Sequence, residues 1–245
     1  MKVVIFGGTR GMGRAISRQL AERGVSLCVI GNEPDDLERT AADLRARGPQ
    51  AQVSSAVCDL ADPATFEPAL DTAMEAMGGL DTVIVTAAVF ATQEQLEADT
   101  DRAVSLLTLN VANTIGFCEH ARKRLLNNGG GTLCVFSSVA GERGRKPVIL
   151  YGAGKAALSA YMEGLDHKYR SAGLRAVTVK PGFVKTGMTA GLKPPPFAGE
   201  PEGVAKIVLA AIDRGVPVVY APRIWALVML VIRWLPRAVM RRIGF

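Results

Sequence analysis

Tyr151 and Lys155 stand four apart in Tyr151-Gly-Ala-Gly-Lys155, and Ser138 lies thirteen residues before Tyr151 in Ser137-Ser138-Val-Ala-Gly141. Together they offer a proton donor, a cation and a hydroxyl able to polarise a carbonyl. On a helix, a spacing of four puts phenol and ammonium on one face, where the cation favours the ionised phenol. A phenol that ordinarily titrates near pH ~10 is then expected to exchange its proton near neutrality. The same pair also arises on solvated helices with no chemistry, so its meaning depends on what else the chain brings to the spot.

The amino terminus brings a nucleotide site. Lys2 to Phe6 is a short apolar run followed at once by Gly7-Gly8-Thr9-Arg10-Gly11-Met12-Gly13 and a helix-like stretch from Arg14 to Arg23. A strand, a glycine turn and a helix start let a pyrophosphate approach the backbone and meet the amides of the helix end. Any one of Gly7, Gly11 and Gly13 also suits an ordinary tight turn. The set reads G-x-x-x-G-x-G, and with Ser138, Tyr151-x-x-x-Lys155 and Pro181-Gly182 following in order, the chain resembles the short-chain dehydrogenase/reductase family over nearly its whole length.

That resemblance implies a catalytic set of Asn110, Ser138, Tyr151 and Lys155, with Asn110 holding a water in the proton relay to Lys155. Ser138 would bind the carbonyl oxygen, Tyr151 would protonate it, and Lys155 would hold the nicotinamide ribose while supporting the phenolate. Cofactor contacts are implied for Gly7, Thr9, Arg10, Gly11, Met12 and Gly13 in the turn and for Asn32 after the second strand. Asp59, followed by Leu60, matches the acid that meets the adenine amino group, although a helix N-cap is the other reading of that residue. Ala87, Pro181, Gly182, Val184 and Thr186 complete the implied contacts, beside Tyr151 and Lys155 themselves. Thr86-Ala87-Ala88-Val89 departs from the family's Asn-Asn-Ala-Gly and leaves the bracing of that turn unaccounted for.

These residues need a scaffold that gathers them. Apolar runs at 2 to 7, 25 to 30, 52 to 57, 81 to 86, 132 to 137, 174 to 180 and 216 to 220 alternate with helical spacing at 11 to 23, 34 to 47, 63 to 77, 100 to 127, 151 to 172 and 201 to 214. Such alternation predicts a seven-stranded parallel sheet covered on both faces, a single-domain Rossmann-type doubly wound α/β fold. The motif residues fall at the carboxyl ends of the strands, where such sheets bind ligands. At 245 residues one domain suffices, with 1–222 as the reductase domain and 223–245 as a helical extension of it. The four cysteines, Cys28, Cys58, Cys118 and Cys134, have no metal spacing and suit a reduced core; no metal is expected. His120 and His167, the only histidines, lie in helical stretches away from any nucleophile, and Ser138 lacks a G-x-S-x-G elbow, which argues against a hydrolase. The start shows no secretory signal pattern, so a cytoplasmic protein is expected.

Cofactor choice turns on the end of the second strand, where an acid normally excludes a 2′-phosphate. Here stand Gly31 and Asn32, and Arg10 lies where the family often meets that phosphate, so NADP(H) is favoured over NAD(H). Glu33, Asp35 and Asp36 follow closely enough to reach a ribose instead.

From Arg223 to Phe245 the chain holds five arginines and no acid, against a net charge of +6 for the whole. The apolar run Ile224 to Ile232 is nine residues, about half of the ~20 that span a bilayer. Arg233, Arg237 and Arg241 recur beside Trp225, Trp234 and aliphatic residues, which suits an amphipathic element at an anionic lipid surface on the inner face of the membrane. Packing on its own subunit or within a homo-oligomer is the alternative. Nucleic acid is not expected, because the charge alternates with bulky apolar residues. Ala140 to Arg145, Leu192-Lys193, Tyr220-Ala-Pro222 and Arg233-Trp-Leu-Pro-Arg237 resemble the decaprenylphosphoryl-2-keto-ribose reductase branch of the family, whose substrate is a lipid-linked keto-sugar and whose association with NADH opposes the reading of Arg10. The Pro-rich segment Gly187 to Gly199 would then be a lid. Three functions follow: a membrane-peripheral reductase of a lipid-linked keto-sugar, a soluble reductase of another apolar ketone, or a nucleotide-sensing protein without turnover, the last disfavoured by the intact catalytic set.

Overall fold

In the computed structural model the residues described are 1–243; Gly244 and Phe245 of the tail lie outside them. Seven parallel strands form one sheet in the order β3-β2-β1-β4-β5-β6-β7. They are β1 Lys2–Phe6, β2 Ser26–Gly31, β3 Val53–Val57, β4 Thr82–Val85, β5 Gly131–Phe136, β6 Leu174–Pro181 and β7 Val218–Ala221. The sheet is buried on both faces because its strands are near-continuous apolar runs. Val3 and Ile5 join a core with helices α1 Gly11–Glu22, α2 Pro34–Arg47 and α8 Pro201–Arg214. Val4 and Phe6 face the opposite core, with α3 Phe66–Met77, α6 Thr114–Asn127 and α7 Ile149–Tyr169. All four cysteines are free and buried.

Each expected strand is present to within a residue or two. The helices depart from expectation in two places. The short α4 Gln93–Ala98 was not anticipated; a capping box between Thr92 and Gln95 starts it. The stretch 100 to 127 is not one helix but α5 Thr100–Leu107, a π-helical turn Thr108–Asn113, and α6. In that wider turn the Thr114 hydroxyl donates to the Leu109 carbonyl at 2.9 Å, and the Asn110 side chain bonds the Val89 main chain. The tail forms α9 Ile224–Trp234 and α10 Arg237–Arg242, parted at Leu235-Pro236 because proline cannot continue a helix. Among the described residues no helix is long and apolar enough to cross a membrane.

Candidate active site

The serine turn and α7 are locked together by backbone contact. Ser138 follows β5 and opens the 3-10 turn Val139–Glu142. A Cβ on Gly141 would lie 2.6 Å from the Ala156 amide, and one on Gly152 would lie 2.8 Å from the Ala140 carbonyl, so both glycines are needed for the turn to sit on the helix. The Ser137 hydroxyl strengthens the joint, donating to the Lys155 carbonyl at 2.7 Å. This joint brings Ser138, Tyr151 and Lys155 into one place. The Ser138 hydroxyl accepts from the Ala140 amide at 3.1 Å and donates to the Pro181 carbonyl at 3.4 Å.

Lys155 is 4% exposed, and its ammonium donates to the Phe136 carbonyl at 2.7 Å. Burial lowers its pKa to about 8. Its Nζ lies 5.7 Å from the centre of the Tyr151 ring. Tyr151 is pushed up to about 12 by burial, with a hydrogen bond from Ser138 acting the other way. This corrects the expectation that Lys155 brings the phenol near neutrality in the protein alone: the ammonium is engaged with a carbonyl, and desolvation dominates. The Phe90 ring packs edge-on against Tyr151 at 5.3 Å.

Asn110 is buried, and both of its polar atoms go to Val89: Oδ1 accepts from the amide at 2.9 Å and Nδ2 donates to the carbonyl at 2.7 Å. It therefore braces the 86 to 89 turn. The Thr86 hydroxyl lies 3.0 Å from both the Phe6 and Gly7 carbonyls. These two residues supply the bracing that the departure from the family pattern had left open.

On the nucleotide side, Gly7 and Gly11 adopt φ of 84° and 53°, a region that favours glycine. A Cβ on Gly7 would lie 2.7 Å from the Ala87 amide, and Gly13 sits directly on the Gly7 carbonyl. Helix α1 starts at Gly11 without a side-chain cap, which leaves its first amides facing the turn beside Thr9 and Met12. A Cβ on Gly11 would meet Thr186 at 3.4 Å, so the segment after Pro181 faces the glycine turn. Val184 is buried there and bridges Gly199. These features suit a dinucleotide: a cradle without side chains and free helix amides for a pyrophosphate. Asn32 is exposed beside Gly31. Asp59 accepts from the Ala61 amide at 2.9 Å, a local turn rather than a helix cap, and Asn113 donates to the Leu60 carbonyl at 2.8 Å.

Arg10 is not free, as the phosphate reading assumed. It donates to Asp36 at 2.5 and 2.9 Å and to Glu33 at 3.0 Å. The Asp36 carboxyl is held below the usual range by Arg39 and Arg10.

Two tail residues also differ from expectation. Trp225 packs inward, its indole occupying the space that a Cβ on Gly182 would need, and Arg233, though 46% exposed, lies 3.7 Å from Glu142. Glu142, 3% exposed, also accepts from Lys180 at 2.6 Å and Tyr220 at 2.7 Å. Met229 and Ile232 of α9 pack with Val139, next to Ser138. The outward side of α9 carries Leu227, Leu230, Val231 and Trp234, the last 81% exposed. Nothing in the spacing of Glu142 or Trp225 marked them, because their partners are remote in sequence.

The profile of the short chain dehydrogenase family matches residues 1–196. The chain belongs to the short-chain dehydrogenase/reductase family. Like other members it is an NAD(P)-dependent oxidoreductase, built on a seven-stranded Rossmann-type sheet. It is 34% identical over 242 residues to an uncharacterized oxidoreductase of Mycobacterium tuberculosis, covering 98% of this chain and 96% of the relative. Carbonyl reductase family member 4 of Xenopus laevis is 28% identical over 217 residues, 85% of this chain and 89% of that protein. A short chain dehydrogenase from Burkholderia cenocepacia, solved in complex with NADP, superposes with a TM-score of 0.79 at 25% identity, over 89% of this chain and 95% of the other.

Proposed function

We propose that this reductase uses NADPH or NADH to reduce an apolar ketone, with Ser138, Tyr151 and Lys155 as the catalytic residues. The observation that carries this reading is their convergence at the joint between the serine turn and α7. A bound nicotinamide supplies the hydride. Ser138 hydrogen-bonds the carbonyl oxygen, Tyr151 donates the proton to it, and Lys155 holds the ribose and supports the phenolate as it forms. Asn110 positions the 86 to 89 turn. Gly7, Thr9, Gly11, Met12 and Gly13 would hold the pyrophosphate, Asp59 with Leu60 the adenine, and Ala87, Pro181, Gly182, Val184 and Thr186 the nicotinamide end.

NADP(H) is the preferred cofactor in this reading, because no acid stands at Gly31 or Asn32 and Arg10 can exchange Glu33 and Asp36 for a phosphate. The substrate is a ketone with a long apolar tail, such as a lipid-linked keto-sugar, taken from the inner membrane face. The outward apolar face of α9, with Leu227, Leu230, Val231 and Trp234 exposed and Arg237 and Arg241 beyond it, supports this.

The test is reduction of a panel of apolar ketones, followed through cofactor absorbance. Tyr151→Phe is expected to keep the fold and cofactor affinity and to lose at least ~10²-fold in turnover, the scale of a positioned proton donor. Near wild-type turnover by that variant would remove Tyr151 from the chemistry.

A further inference from the structure

The lid segment and the root of the tail meet beside the site. The segment's neck is tied by Gly199, whose amide donates to the Phe183 carbonyl at 2.8 Å and whose carbonyl accepts from the Lys185 amide at 2.9 Å. Gly199 lies so close to Pro222 that a Cβ would fall 2.8 Å from its ring. Phe197, at φ 67°, is the one non-glycine residue with left-handed backbone among the described residues. A bulky side chain takes that conformation at a cost and keeps it only where its surroundings hold it.

A turn from Pro195 to Ala198 does the holding, the Ala198 amide donating to the Pro195 carbonyl at 3.3 Å with Phe197 at the position that calls for positive φ, and Trp225 adds a second tie. Its indole Nε1 donates to the Phe197 carbonyl at 3.3 Å. The same ring covers Gly182, the residue after the carbonyl that Ser138 reaches. Behind it pack Tyr220, Val228 and Met229, and its amide is bonded to the Pro222 carbonyl. One side chain is thus both against the catalytic end of β6 and on the lid.

We propose that Trp225 determines substrate specificity: its ring is a wall of the ketone pocket and, through Phe197, the latch that sets how far the lid stands from it. This rests on the reductase reading above. The indole has a single polar group, and the lid already takes it, so the face left for substrate is flat and apolar. Such a wall accepts a ring or chain carbon and gives a hydroxyl no partner on that side, so it discriminates by the shape of the ketone that faces it.

The enzyme with bound cofactor is compared on a bulky bicyclic ketone (decalone) and on butanone. Trp225→Ala is expected to change the ratio of kcat/KM between them by at least ~10-fold, the discrimination of a pocket wall that changes size, with cofactor Kd unchanged. Trp225→Phe keeps the apolar ring and loses the N–H, so the ratio should move less while KM for decalone rises. A second readout needs no turnover. The protein has two tryptophans, so Trp234→Phe leaves Trp225 as the reporter, and its emission should shift when decalone is titrated into the cofactor complex. An unchanged ratio in Trp225→Ala, or silent emission under saturating decalone, overturns the proposal. If the unmutated protein reduces neither of these nor any ketone of the apolar panel, the reductase reading fails by itself, and the emission titration still decides whether Trp225 faces the ligand.

Discussion

Burial, not mutual attraction, governs the ionisable groups of the bare site. Lys155 has its pKa lowered to about 8, so between pH 8 and its ordinary value of ~10.5 the folded chain binds fewer protons there than the unfolded one. Stability from this group therefore rises with pH across that window, by on the order of 3 kcal/mol, and is withheld below it. Lys155→Met should accordingly be inactive yet more stable than wild type near pH 7, with its advantage shrinking as pH approaches 10. Urea unfolding at several pH values measures this; an advantage that is absent or grows with pH would refute it. Arg10 carries the cofactor question. NADPH is expected to bind more tightly than NADH, and Arg10→Ala should shrink the affinity ratio roughly threefold to tenfold, since a charge-assisted contact is lost on an exposed surface. Asp36→Asn should widen it by freeing Arg10. Fluorescence titration with both cofactors reads these ratios, and an NADH preference in wild type would favour the lipid-linked keto-sugar branch.

At the scale of elements, the π-helical turn is the piece that joins the helix layer to the cofactor side. Asn110→Leu would leave the Val89 amide and carbonyl unpaired and should cost about 2 to 4 kcal/mol in unfolding free energy. A loss below ~0.5 kcal/mol would mean that water replaces the side chain without penalty. The strands and most helices were legible because apolar runs and helical spacing report burial directly. The π turn was not, since the apolar spacing of 100 to 127 continues through it and the bonds from Asn110 to Val89 join residues remote in sequence. Helix α4 escaped because Gln93, Glu94, Gln95 and Glu97 leave it almost no apolar stripe. Of the site, Ser138, Tyr151, Lys155 and the glycines were visible as local motifs. Glu142 and Trp225 were not, because a carboxylate and an indole acquire meaning only when Lys180, Tyr220, Gly182 and Phe197 arrive from other elements.

For the whole molecule, the tail divides into an inward side packed on Val139, next to Ser138, and an outward side of exposed apolar residues. Because Arg233 pairs with Glu142, the variant that tests membrane contact without breaking that pair is Arg237→Glu with Arg241→Glu. The intact protein should float with anionic vesicles, less so at high salt, and the double variant should bind at least tenfold more weakly, each arginine contributing on the order of 1 kcal/mol. If the intact protein ignores such vesicles while removal of the residues after Ala221 splits an oligomer, the outward face is a subunit contact. The strand order adds a consequence in time. Strand β1 lies inside the sheet and is synthesised first, whereas β7 is an edge and is synthesised late. Domains generally fold as units, and β1 is enclosed only when β4 pairs with it, so the glycine turn becomes part of a site only after Tyr151, β7 and Trp225 have left the ribosome.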